Sequence, residues 1–131
     1  KVANDEFILD KFTKDKKIEK ISILHSDIQG SELDMLDGAK NFLSKQSADY
    51  IFLSTHSQSI HNEAKKKLQS FEYIIEVSSD FDNHTTSYDG FVLATAPSAK
   101  RVFKTFLPFG RGEIISKKPN EMIEYLRSII R

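Results

Sequence analysis

The sequence predicts an α/β domain in which parallel strands joined by helices form a sheet, helices cover its faces, and an antiparallel hairpin closes it. Three observations predict this. Short β-branched runs alternate with segments of helical periodicity in the order strand, helix, strand, helix, strand, strand, and such alternation implies parallel pairing with right-handed crossovers. Each of the first two strands is apolar where it begins and polar where it ends. The last two strand candidates are separated only by a polar loop closed by Asp89-Gly90, which suits antiparallel neighbours.

Taken in order, Lys1–Lys20 alternates charges with Phe7, Ile8, Leu9 and Phe12, and its Lys14–Lys20 run reads as a solvated connection, with room for a turn of helix. Ile21–Asp27 is the first strand, and Gly30 marks the turn that follows it. Ser31–Ser44 is the clearest helix: Leu33, Leu36, Phe42 and Leu43 share a face, with Ser31 or Gly30 at the N-cap. Asp49–His56 is the second strand. Ile60–Ser70 is an amphipathic helix whose Lys65–Lys67 run faces water. Phe71–Ser78 and Phe91–Ala96 are the hairpin strands, and Pro97 ends the last. A stretch punctuated by Pro108, Gly110, Gly112 and Pro119 leads to a helix over Asn120–Arg131 capped by Asn120.

The 131 residues suffice for one domain, and 39% hydrophobic with 29% charged is a globular mixture. The absence of cysteine excludes a disulfide framework, a thiolate zinc site and a cysteine nucleophile. No apolar run approaches the ~20 residues of a membrane span, and no signal peptide opens the chain, so a cytoplasmic protein is expected. Net charge is zero but unevenly placed. Residues 1–97 carry 11 Lys/Arg against 16 Asp/Glu, whereas residues 98–131 carry 8 against 3. This divides an α/β body, residues 1–97, from a basic C-terminal extension, residues 98–131. The extension is expected to pack Phe103, Phe106, Leu107 and Phe109 on the sheet edge and to expose Lys100, Arg101, Lys104 and Arg111. A nucleic-acid partner is not expected, because no whole face is basic. Residue 1 is Lys rather than Met, which suggests a fragment or a processed product.

In open α/β sheets ligands sit beyond the carboxyl ends of the strands, and the polar candidates cluster there. Asp27 ends the first strand and His56 the second, and adjacent strands lie ~4.8 Å apart. A carboxylate and an imidazole at that edge can take a proton from a hydroxyl or hold a hard cation. The bland alternative for Asp27 is a bond to the next helix N-terminus. Glu32, in that helix's first turn, is either a stabiliser of the helix dipole or, with Gln29 and Asp89, a substrate contact. His25, on a strand expected to be central, reads as packed and hydrogen-bonded; His61 and His84 read as surface or loop residues. The spacing matches no metal signature, and no G-x-G-x-x-G, Walker loop or G-x-S-x-G elbow occurs. Ser54, Ser57 and Ser59 near His56 do not make a hydrolase triad.

The segment Ile23-Leu24-His25-Ser26-Asp27-Ile28-Gln29-Gly30-Ser31-Glu32-Leu33-Asp34-Met35-Leu36-Asp37-Gly38-Ala39 resembles the central signature of the FkbM family of methyltransferases, K-I-D-[VI]-[EQ]-G-x-E-x-x-[VL]-x-G-A. Ile8-Leu9-Asp10-Lys11-Phe12 is similar to the family's T-L-D-x-[LF] segment. Ile51–His56 falls where the family has a strand ending E-x-H, and Tyr88–Val92 is similar to the closing strand. The resemblance spans residues 7–96.

It implies the C-terminal half of a class I, Rossmann-like methyltransferase sheet, with these strands as the fourth to seventh of seven. It also implies S-adenosylmethionine as cofactor and methyl transfer to a hydroxyl of a sugar or secondary metabolite, hence a small-molecule or glycan acceptor. Asp27 would face donor and acceptor, His56 would end the fifth strand, and the two are candidate ligands for a divalent metal such as Mg. Ser54 stands where the family pattern has Glu. No segment supplies the first three strands with their Gly-rich cofactor loop and ribose-binding acid, so the chain is expected to hold the acceptor side of the site. The alternative is a non-catalytic binding or assembly module that keeps half the fold and forms homo-oligomers through an exposed apolar face.

Overall fold

A computed structural model describes residues 8–84, 88–103, 106 and 110–129. Ten elements follow one another: α1 (Leu9–Asp15), β1 (Ile21–Ser26), α2 (Glu32–Gly38), α3 (Lys40–Ser44), β2 (Ala48–Thr55), α4 (Gln58–Ser70), β3 (Ile74–Ser79), β4 (Gly90–Thr95), α5 (Arg111–Ser116) and α6 (Pro119–Ile129). The four strands form one sheet in the order β1-β2-β4-β3. β1 runs parallel to β2, with Ile23 opposite Tyr50 and His25 opposite Phe52. β4 is antiparallel to both its neighbours, placing Thr95 against Tyr50 on one side and Ile74 on the other. The mixed α/β sheet expected from the sequence is therefore present. The reversed strand, however, is interior, and β3 lies outside it. Gly90–Thr95 suits that position because it is apolar on both faces and buried almost throughout.

The core lies between the sheet and α2, α3 and α4. Ile51 and Leu53 of β2, Val92 and Ala94 of β4, Leu36, Leu43 and Leu68 are all fully buried there. Alternation along β2 sends Phe52 to the opposite face, where its ring sits 6.1 Å from that of Phe91.

Several boundaries differ from expectation, each for a local reason. The helix predicted over Ser31–Ser44 is two helices joined at the fully buried Ala39. The Asp10 carboxylate accepts the N–H groups of Asn41 and Phe42, both at 2.8 Å, and so supplies the second helix with its own start. Asp10 comes from α1, a helix that lies almost wholly before the Lys14–Lys20 connection and for which the sequence predicted no element. α4 begins at Gln58 because the Ser57 hydroxyl accepts the Ile60 N–H at 3.1 Å. β3 begins at Ile74, not Phe71: Glu72 takes φ 67° in a turn that buries Tyr73, whose hydroxyl donates to the Ala48 carbonyl at 2.9 Å. The terminal helix begins at Pro119, whose fixed φ suits a first helical position, and Asn120 lies inside that turn. α5 was not foreseen.

His25 is exposed, not packed, because among the described residues β1 is the sheet's outer strand. Ile23 beside it is 60% exposed. Of the extension, Phe103 and Phe106 pack edge to face at 5.5 Å, and the Tyr50 hydroxyl donates to the Lys100 carbonyl at 2.7 Å. Phe7, Lys104, Leu107, Pro108, Phe109 and Arg131, which figure in the expectations, lie outside the described residues. Among those described, no helix is long and apolar enough to cross a membrane.

Candidate functional site

The carboxyl ends of β1 and β2 and the start of β4 meet at one edge. β1 stops at Ser26, and the chain turns through Asp27, Ile28, Gln29 and Gly30 into α2. Gln29 (φ 54°) and Gly30 (φ 100°) are both left-handed, a pair that lets the turn close sharply. The turn leaves Glu32 as the first helical residue, its side chain folded back so that Oε1 accepts the Gly30 N–H at 3.0 Å. His56 is the first residue beyond β2, and Asp89 immediately precedes β4, whose Gly90 lies opposite Thr55.

The structure thus gathers three of the candidate residues around the imidazole of a fourth. His56 Nδ1 sits 2.5 Å from Glu32 Oε1, while Nε2 is 3.2 Å from Asp27 Oδ1 and 3.4 Å from Asp89 Oδ1. Glu32 is fully buried, the His56 side chain is 14% exposed, and Asp27 and Asp89 are 42% and 43% exposed. Gln29 stands to one side, its amide donating to Asp27 Oδ1 at 3.4 Å. Two buried atoms here, Glu32 Oε2 and His56 Nε2, make no hydrogen bond among the described residues. The Asp27 and Asp89 oxygens approach Nε2 without occupying its bonding direction. Buried polar atoms are rarely left in that condition, and such an atom at a strand-end edge points to a missing donor or acceptor.

A second buried polar cluster lies behind the first. His61, expected at the surface, is fully buried on α4. Its Nδ1 is 2.9 Å from Thr55 Oγ1 and its Nε2 2.9 Å from Ser78 Oγ. Burial first, then the neighbouring Lys65, lowers its pKa to about 4. The signal was available in the sequence: His61, Ala64 and Leu68 recur at the spacing of a buried helix face. His84, in the loop after β3, pairs with Asp80 at 3.2 Å, as its loop position allowed.

Asp27 and His56 were also candidate metal ligands. Among the described residues, no group of three or more His, Asp or Glu side chains is arranged to hold a metal ion. Both carboxylates crowd the same ring nitrogen, an arrangement suited to a proton and to neighbouring hydroxyls, and no step is assigned to a cation.

A family model described as the methyltransferase FkbM domain matches residues 5–98. No curated protein and no solved structure matches the chain.

Proposed function

The chain belongs to the FkbM methyltransferase domain family, and from that premise we propose that it carries the acceptor side of a cytoplasmic, S-adenosylmethionine-dependent O-methyltransferase site. The observation that carries this reading is His56 Nε2, buried yet unbonded between two partly exposed carboxylates at the strand ends. The parallel β1 and β2 with the reversed β4 support reading the strands as the fourth to seventh of a class I sheet. Residues 98–131, all but the first of them beyond the matched residues 5–98, are then an extension.

When bound, S-adenosylmethionine supplies an electrophilic methyl group on a sulfonium. The exposed carboxylates suit a positively charged donor, but the sequence offers no Gly-rich loop, and no residue of this chain is assigned to hold the nucleoside. The chain's own residues act on the acceptor. Asp27 and Asp89 accept hydrogen bonds from neighbouring acceptor hydroxyls and so fix its orientation, with Gln29 steadying Asp27. His56 Nε2 would take the proton of the reacting hydroxyl while the methyl group passes from the sulfonium to that oxygen, the carbon–sulfur bond breaking and its electron pair staying on a neutral thioether; the products would be a methyl ether, the thioether and an imidazolium between carboxylates. Polyols and sugars fit this surface.

The test is transfer of labelled methyl to a panel of polyols and glycans by the native gene product. His56→Ala should cost on the order of 10²–10⁴ in turnover. Asp27→Asn should lower turnover far more than cofactor affinity, whereas equal losses would put Asp27 on the cofactor. Full activity in His56→Ala would end the reading.

A second reading, a non-catalytic assembly module, is favoured by one feature. The outer edge of β1 has no strand neighbour among the described residues, and Ile23 and Ile28 stand exposed beside it. Concentration-dependent self-association in sedimentation, abolished by Ile23→Lys and unaccompanied by methyl transfer, would select it.

A further inference from the structure

We propose that Glu32 is a positioning residue which holds His56 in the tautomer protonated at Nδ1, so that Nε2 presents its lone pair to the acceptor. The inference rests on the reading of His56 as the base and assigns Glu32 a role other than substrate contact. A fully buried carboxylate behind the imidazole cannot meet a ligand arriving from solvent.

The geometry sets one short, buried contact at Nδ1 against two longer, partly exposed contacts at Nε2. As a carboxylate, Glu32 can only accept hydrogen bonds. Its Oε1 already takes the Gly30 N–H at 3.0 Å, and the His56 Nδ1 lies 2.5 Å from the same oxygen. With neutral imidazole, a proton on Nδ1 completes that bond. The proton on Nδ1 leaves the Nε2 lone pair toward Asp27 and Asp89, but those oxygens are 3.2 and 3.4 Å away on half-exposed side chains; a proton on Nε2 would instead turn the Nδ1 lone pair against a fully buried carboxylate oxygen 2.5 Å away, the costlier mismatch. The Gly30 amide matters as much as the carboxylate. The left-handed Gln29–Gly30 turn aims that N–H at Oε1, so the carboxylate is held before His56 meets it. Sequence thereby becomes proton placement: a glycine that can take φ 100°, an acid two residues on in the first helical turn, and a histidine one residue past the neighbouring strand. The same division of labour, an acid orienting an imidazole whose other nitrogen does the proton transfer, operates in hydrolytic triads.

The experiment is a long-range ¹H–¹⁵N correlation on the uniformly labelled full chain, at a pH where the His56 ring is neutral, for the wild type and Glu32→Gln. The wild type should show His56 protonated at Nδ1. Glu32→Gln, which keeps the size but replaces the carboxylate oxygen facing Nδ1 with the weaker acceptor of a neutral amide, should shift population from the Nδ1–H form toward the Nε2–H form. In the native gene product the same substitution should lower kcat on the order of 10²-fold or more with acceptor KM changed by less than about threefold. A wild-type His56 protonated at Nε2 overturns the proposal without any variant, so a Glu32→Gln chain that fails to fold does not shelter it. A raised KM with unchanged kcat also overturns it, because it would make Glu32 a substrate contact. An Nδ1–H tautomer in a chain that methylates nothing would support the positioning and sink the methyltransferase reading instead.

Discussion

His61 Nε2 lies 2.9 Å from the Ser78 hydroxyl, so that one buried ring ties α4 to β3 while its other nitrogen reaches Thr55 at the end of β2. The ring is neutral at neutral pH, its pKa lowered to about 4 by burial and by Lys65, with Asp80 opposing and His84 adding to the shift. In the unfolded chain the same ring takes a proton near ~6.5. A depressed histidine therefore contributes stability that is complete above ~6.5 and is lost as pH falls toward its folded value. That amounts to about 3 kcal/mol between the two limits. Urea unfolding at pH 7 and pH 4.5 should show a large loss in the wild type and a clearly smaller one in His61→Gln. Equal losses would show that His61 does not titrate on unfolding.

The edge strand holds the extension through Glu76, at the irregularity in β3 pairing between Ile75 and Val77. Its carboxylate accepts the Val102 N–H at 3.2 Å and the Phe103 N–H at 2.7 Å, with Arg101 at 3.9 Å. Burial by itself would push the carboxyl up, but the Thr95 hydroxyl, the two amides and the Arg101 guanidinium outweigh it and hold the pKa below the usual range. The contribution is thus present above the ordinary carboxyl pKa of ~4.3 and lost as pH falls through the depressed value. Glu76→Ala should free residues 100–103 at a cost of about 1–3 kcal/mol and speed tryptic cleavage at Lys100 and Arg101 at least tenfold. Unchanged cleavage would mean that the aromatic packing of Phe103 alone retains the segment.

The sheet and the gathering of Asp27 with His56 were legible because both follow from strand polarity: a strand apolar at its start and polar at its end delivers its last residue to the ligand edge. Glu32 was legible as a residue but not as a neighbour of His56, since contact across 24 positions depends on register and on the left-handed Gln29–Gly30 turn. The break at Ala39 was hidden because the cap comes from Asp10, far away in sequence. His25 was misplaced for a similar reason. Nothing in Ile21–Ser26 says which side of the strand finds a partner, whereas His61 carried its own clue in the spacing of Ala64 and Leu68.

Gly90 is required for room. A Cβ there would lie 2.5 Å from Thr55 Oγ1, 2.9 Å from Phe81 Cε2 and 3.0 Å from His61 Nδ1. Gly90→Ala should therefore cost about 1–3 kcal/mol by overpacking. It should also displace Asp89 beside it, lowering activity more than the stability loss explains. A fully stable Gly90→Ala chain would show that the Thr55–His61 pair gives way freely.

Asp27 and Asp89 bring two carboxylates within 3.4 Å of the same nitrogen, and the buried Glu32 adds a third on the other side of the ring. An acceptor carrying its own carboxylate would set a further negative charge some ~6 Å away, costing about 1–3 kcal/mol at the effective dielectric of a partly exposed site. A neutral sugar should therefore be methylated about tenfold or more faster, by kcat/KM, than the corresponding uronate. The preference should narrow in Asp27→Asn and in Asp89→Asn, and it should shrink as salt is raised, because both groups are screened by solvent ions. A uronate accepted as readily as its neutral counterpart would show that the acceptor approaches His56 from a side these carboxylates do not face.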